Sequence, residues 1–172
     1  MRVAIIGNSG SGKSTLAAAL ASAAGVPRLD LDTVAWEPDR PAVARDESLA
    51  RDDVHTFCRG TAGWVVEGCY TALISAALEH QPKLLFLNPG LEACLANCRA
   101  RPWEPHKYAS QQAQDANLEF LLSWVAEHYV STGPMSHAAH VQCFESYAGP
   151  KRELQSLPLV PGPEPELVDW LR

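Results

Sequence analysis

No window of the 172-residue chain approaches the ~18 continuous apolar residues of a membrane span. A membrane-spanning protein is therefore not expected. The chain has no basic surplus either. Its formal net charge is −6, which argues against a nucleic-acid binder, whose surface normally carries a basic stripe. The five cysteines (Cys58, Cys69, Cys94, Cys98, Cys143) are odd in number and form no CxxC pair. With no further ligands at metal-site spacing they read as buried free thiols. No N/T-K-x-D motif is present, so a GTP switch is not expected. Repeats and linkers are also missing, which leaves one domain over residues 1–172. The opening "MRVAIIG" is too short an apolar run for a signal peptide, so a cytoplasmic protein is expected. The sequence carries no signal for an oligomeric state.

What is present alternates. Buried strands are expected at 2–6, in "VPRLDLD", at 63–68 and at 83–89, with a weaker fifth near 153–157. Between them lie helical stretches at 13–25, 46–59, 71–80, 91–100, 111–130 and 138–147. Residues 111–130 give the longest helix pattern. The tail "LPLVPGPEPELVDWLR" reads as irregular before a short last turn. Alternating strands and helices imply a parallel sheet covered on both faces, with ligands bound beyond the carboxyl ends of the strands. That places Gly7, Asp32, Glu67 and Asn88 along one rim.

"GNSGSGKS" (7–14) matches G-x-x-x-x-G-K-[ST] between a strand and a helix. Its glycines, Gly7, Gly10 and Gly12, let the backbone curl so that N–H groups from Asn8, Ser9, Ser11 and their neighbours cradle phosphates at a helix N-terminus. Lys13 adds a positive charge for the β- and γ-phosphates. Ser14 offers a hydroxyl to Mg²⁺, and Thr15 a further phosphate donor. Bound ATP with Mg²⁺ is the expectation.

In "LDLDTVAWEP" (29–38), Asp30 and Asp32 sit two apart in an apolar run and share one side of a strand. Beside a phosphate loop, Asp32 can orient an acceptor hydroxyl, draw off its proton, or hold Mg²⁺ through water. The alternative is local: Asp30 caps or pairs nearby while Asp32 caps the segment after it. Glu67, ending "WVVEG", can bind the Mg²⁺ water shell or polarise an acceptor. Trp36 and Tyr70 can touch an acceptor or simply pack. In "RPWEPHKYAS", Arg101 is the preferred cation for the transferring group, ahead of Arg99, with Lys107 as helper and His106 a lesser candidate base. The segment from about 101 to 110 reads as a short lid. Lys151 and Arg152, in "GPKREL", can lie against a base or phosphates, or stay solvated.

"IIGNSGSGKSTLA", "LDLDTVAWEP", "GWVVEGCY" and "LLFLNPGLEACLANCRAR" together resemble the P-loop nucleoside and small-molecule kinases. The likeness over residues 1–101 is strongest to adenylate-kinase-related proteins of the FlaR type, with features of shikimate and gluconate kinases. It implies a three-layer α/β/α P-loop NTPase with a five-stranded parallel sheet of order 2-3-1-4-5. It also implies Asp32 as the acceptor-side acid, Glu67-Gly68 in place of a usual Asp-Gly, and Arg101 where lid arginines begin. The chain departs from the pattern at Asn88, where many relatives carry Asp, and in having no paired lid arginines over 105–125. The resulting expectation is Mg²⁺-dependent phosphoryl transfer from ATP to a small metabolite, nucleoside or nucleotide. The alternative is a nucleotide-binding regulator or slow ATPase with no small-molecule acceptor.

Overall fold

Six residues, Arg2–Gly7, form β1, whose side chains after Arg2 are all buried. A strand buried on both faces needs partners on both edges, and the computed structural model supplies them. It describes residues 1–37, 43–105, 108–156 and 165–171. β2 (Arg28–Asp30), β3 (Trp64–Gly68), β4 (Lys83–Leu87) and β5 (Lys151–Leu154) complete a sheet of order β2-β3-β1-β4-β5. Every pairing is parallel. The register sets Ile5 beside Glu67, Asp30 beside Glu67 and Gly7 beside Leu87. The strand ends therefore finish level, on one rim.

Alternate residues feed opposite layers, as the period of a strand requires. Ala4, Ile6, Val66, Leu84 and Phe86 pack with buried residues of α3 (Glu47–Gly60) and α4 (Thr71–Leu78). Phe144, from α8 (His137–Ser146), joins that face. Val3, Ile5, Val65, Leu85 and Leu87 pack with Leu16, Ala17, Leu20 and Ala21 of α1 (Lys13–Ala24) and with Leu167 and Leu171 of α9 (Pro165–Leu171). The alanines of α1 let that helix lie close on the sheet. A third cluster joins Cys94 and Cys98 of α5 (Leu91–Arg99) to Val125 of α7 (Leu118–Glu127). The cysteines among these are free, as expected. Among the described residues no helix is long and apolar enough to cross a membrane.

Three expectations shift. The strand through Asp30 and Asp32 ends at Asp30, and Asp32 opens the short α2 (Asp32–Ala35). The single helix over 111–130 is two, α6 (Gln111–Ala116) and α7, broken at Asn117. The Asn117 N–H turns to the Gln114 carbonyl three residues back at 3.1 Å, and its side-chain amide donates to the Tyr108 hydroxyl at 3.0 Å. The helical hydrophobic stripe therefore bends without vanishing. β5 lies earlier than expected, at 151–154. Its ladder runs from the Leu84 N–H on the Pro150 carbonyl to the Asn88 N–H on the Leu154 carbonyl, and β4 ends there. As an edge strand reading Lys-Arg-Glu-Leu it lacks the apolar run that marks an inner strand.

Two histidines lie in this core. His140 is 0% exposed and donates from Nε2 to the Cys69 carbonyl at 2.8 Å, which pins the β3–α4 turn from α8. His128 Nδ1 donates to the Met135 carbonyl at 2.6 Å. Their rings meet edge-on, with centroids 4.7 Å apart. Burial pushes His140 down to about 3 and His128 down to about 4, with neighbouring positive charge at His137 and Lys13 adding to it. The folded chain thus refuses protons that the unfolded chain binds below its ordinary pKa of about 6.5. Stability is full above that value and falls as pH drops toward 4, by on the order of 1 kcal/mol per pH unit per histidine. Thermal melts between pH 7 and 4 should show this slope. His140→Gln keeps a donor for Cys69 and should flatten it; equal slopes would remove the assignment.

Candidate active site

The turn from β1 into α1 contains the glycine motif. Gly10 (φ 76°) and Gly12 (φ 86°) sit in the left-handed region that favours glycine. Gly10 also lies under α5: a Cβ there would come within 2.3 Å of the Cys94 carbonyl oxygen and 2.8 Å of Cys98 Sγ. Side-chain amides hold the loop's outer edge. Asn97 donates to the Gly10 carbonyl at 2.8 Å, and Asn8 donates to the Val125 carbonyl at 3.0 Å while accepting from the Ser9 N–H at 2.7 Å. The Ser11 N–H bonds the Asn8 carbonyl at 3.2 Å. Gly12 caps α1 without a side-chain bond. The first-turn N–H groups of Lys13, Ser14 and Thr15 therefore have no intrahelical partner. This is an anion cradle at the positive end of a twelve-residue helix.

Lys13 lies half-buried, with Nζ 3.4 Å from the Asn8 carbonyl. Burial works against its charge, but Glu67, Cys69, Asp32 and Asp30 together outweigh burial and hold the ammonium above its ordinary pKa. Glu67 is 1% exposed. Burial raises its pKa, against the pull of Lys13 and a Ser14 hydrogen bond; Asp30 and Asp32 push it higher. Its Oε1 has no hydrogen-bond partner, and Arg28 lies 3.8 Å away, an ion pair too long for a hydrogen bond. A buried carboxylate oxygen beside the Ser14 hydroxyl suits a hard cation. Among the described residues no cluster of His, Cys, Asp and Glu forms a complete metal cage. Mg²⁺ does not need one, since it keeps waters and shares phosphate oxygens.

Asp30 and Asp32 divide the work that one strand face would have shared. Asp30 Oδ1 accepts the Asp32 N–H at 3.0 Å and its carbonyl accepts the Thr33 hydroxyl at 2.6 Å, so it ends β2 and starts α2. Asp32 is exposed and accepts from the Tyr70 hydroxyl at 2.7 Å. Trp36 Nε1 donates to that hydroxyl at 2.8 Å. Burial, aided by the nearby charge of Cys69 and Asp32, keeps the Tyr70 phenol protonated far above its ordinary range.

The loop, Asp32 and the end of α5 border one cleft of about 400 Å³. Lys13, Asp32 and Arg101 all line it, together with Ser9, Gly10, Gly12, Ser14 and Thr15. Two polar residues that sequence reasoning missed line it as well, Asn97 and Glu104, beside Ala100 and Pro102. Asn97 lies one turn from Cys94 on α5, and no pattern in the sequence marks that face as one that reaches the loop. Arg101 pairs with Glu104 at 3.2 Å. Gln114 of α6 bonds that segment, accepting the Glu104 N–H at 2.8 Å and donating to the Pro102 carbonyl at 3.1 Å.

The other cations lie elsewhere. Arg99 is exposed. Arg152 sets its guanidinium over the Trp170 ring, 5.0 Å from the centroid, and does not line the cleft. Lys151 caps the end of α8, donating to the Phe144 and Glu145 carbonyls. Asn88 donates to Glu153 at 2.8 Å. Pro38, His106 and Lys107 lie outside the described residues.

These features define the class of the fold: a P-loop kinase-like α/β/α architecture with its site on the strand-end rim. No protein-family model matches the chain, and no curated protein matches it. Solved structures do. A shikimate kinase from Bacteroides thetaiotaomicron is 17% identical, with 99% of this chain and 93% of that one covered and a TM-score of 0.54. An unliganded sugar kinase from Janibacter sp. HTCC2649 is 16% identical, with 91% and 87% covered and a TM-score of 0.50. At such identities the likeness is one of fold.

Gly10 allows a direct check of the loop's packing. Gly10→Ala should destabilise by the left-handed cost of about 1–2 kcal/mol plus the contact with α5. Gly25 shares the positive φ (63°) but faces open space, so Gly25→Ala reads the backbone cost alone. Denaturant melts should show the larger loss for Gly10→Ala.

Proposed function

We propose that the protein transfers the γ-phosphoryl group of ATP, with Mg²⁺, to a hydroxyl of a small-molecule acceptor. The observation that carries this reading is the common cleft: an anion cradle with its lysine, an acid held by a tyrosine, and an arginine border the same space. Phosphoryl transfer asks mainly for positioning and charge neutralisation, and this set offers both.

The cradle from Gly7 to Thr15, with Lys13, would bind the polyphosphate. Ser14 and Glu67 would hold Mg²⁺, which when bound neutralises charge on the phosphate oxygens. Asp32, fixed by Tyr70 and in turn by Trp36, orients the acceptor hydroxyl. The acceptor oxygen forms a bond to the γ-phosphorus while the bond from that phosphorus to the β–γ bridging oxygen breaks. The hydroxyl proton passes to Asp32, and ADP departs. Arg101 exchanges Glu104 for the transferring group, and the segment from about 101 acts as a short lid. Arg152 has no part in this scheme, because its guanidinium is occupied by Trp170.

Lys13→Ala should abolish Mg-ATP binding in calorimetry. Asp32→Ala should keep that affinity within about threefold while transfer falls by about 10²–10⁴, the usual worth of a positioned acid or base. Mass spectrometry of an acceptor panel reads the product as one added phosphate. Full transfer by Asp32→Ala would overturn the role given to Asp32. ATP hydrolysis that no acceptor stimulates would favour a regulator or slow ATPase.

A further inference from the structure

Against Tyr70, whose hydroxyl reaches Asp32, lies a second cavity of about 250 Å³. Its wall is mostly apolar: Ala35, Trp36, Ala50, Leu73, Pro134 and Met135. Tyr70 also lines it, and the Tyr70 hydroxyl reaches Asp32, which lines the cleft. The Asp32–Tyr70 hydrogen bond thus stands between the two spaces. Trp36 and Tyr70 meet edge-on, centroids 6.3 Å apart. The wall is braced from behind, since His128 holds the Met135 carbonyl and the Thr71 hydroxyl donates to the Pro134 carbonyl at 2.7 Å.

The hydroxyls and the indole N–H of this wall are engaged. Trp36 Nε1 is bound to Tyr70, Tyr70 to Asp32 and Thr71 to Pro134. Among the described lining residues the cation is Arg45, and it is paired with Asp53. Glu47 stands exposed at the rim. A carboxylate or phosphate entering here would meet Glu47 at the rim, and Asp32 beyond the Tyr70 hydroxyl, with Arg45 paired to Asp53. The first-turn N–H groups of α4 offer it partial positive charge and no countercharge.

We propose that the acceptor is an alcohol or phenol with a compact apolar body and no anionic group, seated in this cavity with its hydroxyl at Asp32. The assignment rests on the phosphotransfer reading above and narrows its substrate class. A cavity of about 150 Å³ lined by apolar side chains holds benzene, so this one takes a body of about one ring with substituents. Its hydroxyl oxygen is the group that bonds the γ-phosphorus, its proton going to Asp32 as ADP leaves.

Benzyl alcohol and 4-(hydroxymethyl)benzoate are matched probes that differ by one carboxylate. Binding of each is read by saturation-transfer NMR and calorimetry, with and without a non-hydrolysable Mg-ATP analogue. Benzyl alcohol should bind at least tenfold more tightly. Ala72→Leu, filling the cavity from α4, and Ala44→Leu, at its exposed rim, should each weaken it about tenfold with Mg-ATP affinity unchanged. Asp53→Asn, which releases Arg45, should narrow the preference against the carboxylated probe. Equal or tighter binding of 4-(hydroxymethyl)benzoate by the wild type overturns the assignment, as does indifference to both leucine variants. Absence of Mg-ATP binding overturns the phosphotransfer reading instead, and the calorimetry separates the two failures.

Discussion

A lysine ammonium half-buried among carboxylates organises the rim of this sheet. Lys13 begins α1 because Gly12 turns the chain, and Glu67 lies one residue before the end of β3, opposite Ile5 of β1. The parallel register thus sets an acid from one strand beside a base from the turn after its neighbour. Neither charge would be tolerated alone. Unpaired, a buried carboxylate such as Glu67 costs several kcal/mol, and Lys13 would lose its proton more readily. Together they keep the ammonium charged and leave one Glu67 oxygen without a hydrogen bond.

That arrangement depends on packing remote from it. Only glycine fits at position 10, because α5 places the Cys94 carbonyl and the Cys98 thiol where a side chain would sit. Asn97 and Asn8 then tie the loop to α5 and α7. The α5–α7 cluster of Cys94, Cys98 and Val125 thereby sets the loop's shape. On the far side, His140 of α8 fixes the turn that follows Glu67. The loop is held from α5 and α7, and the turn after Glu67 from α8.

Much of this was legible in the sequence for identifiable reasons. A strand buried on both faces, a glycine turn and an alanine-rich helix give local signals, so β1, the loop and α1 lie where the pattern puts them. The sheet order came from the family likeness, and the pairings bear it out. What stayed hidden was long-range. The Trp36–Tyr70–Asp32 chain joins residues 34 and 38 positions apart. For Asp30 the local alternative holds: its side chain makes an Asx turn to the Asp32 N–H and ends β2. Arg152 was drawn toward the phosphates by its charge, yet the structure gives that charge a nearer partner in Trp170, which follows a stretch of chain too irregular to place from pattern.

Charge balance links the two cavities. Around the cleft, Lys13, Arg28 and Arg101 stand against Glu67, Asp30, Asp32 and Glu104. These acids leave no surplus positive charge for a polyphosphate. On the proposed reading the nucleotide must therefore bring a divalent cation, and Arg101 must leave Glu104, before the phosphates are neutralised. An acceptor bearing its own anion would deepen the same deficit at Asp32. An uncharged hydroxyl adds nothing to it and leaves the released arginine to the transferring group alone. On that reading the apolar wall beside Tyr70 and the acid-rich rim around Lys13 express one constraint: the site would hold a single polyanion, the nucleotide.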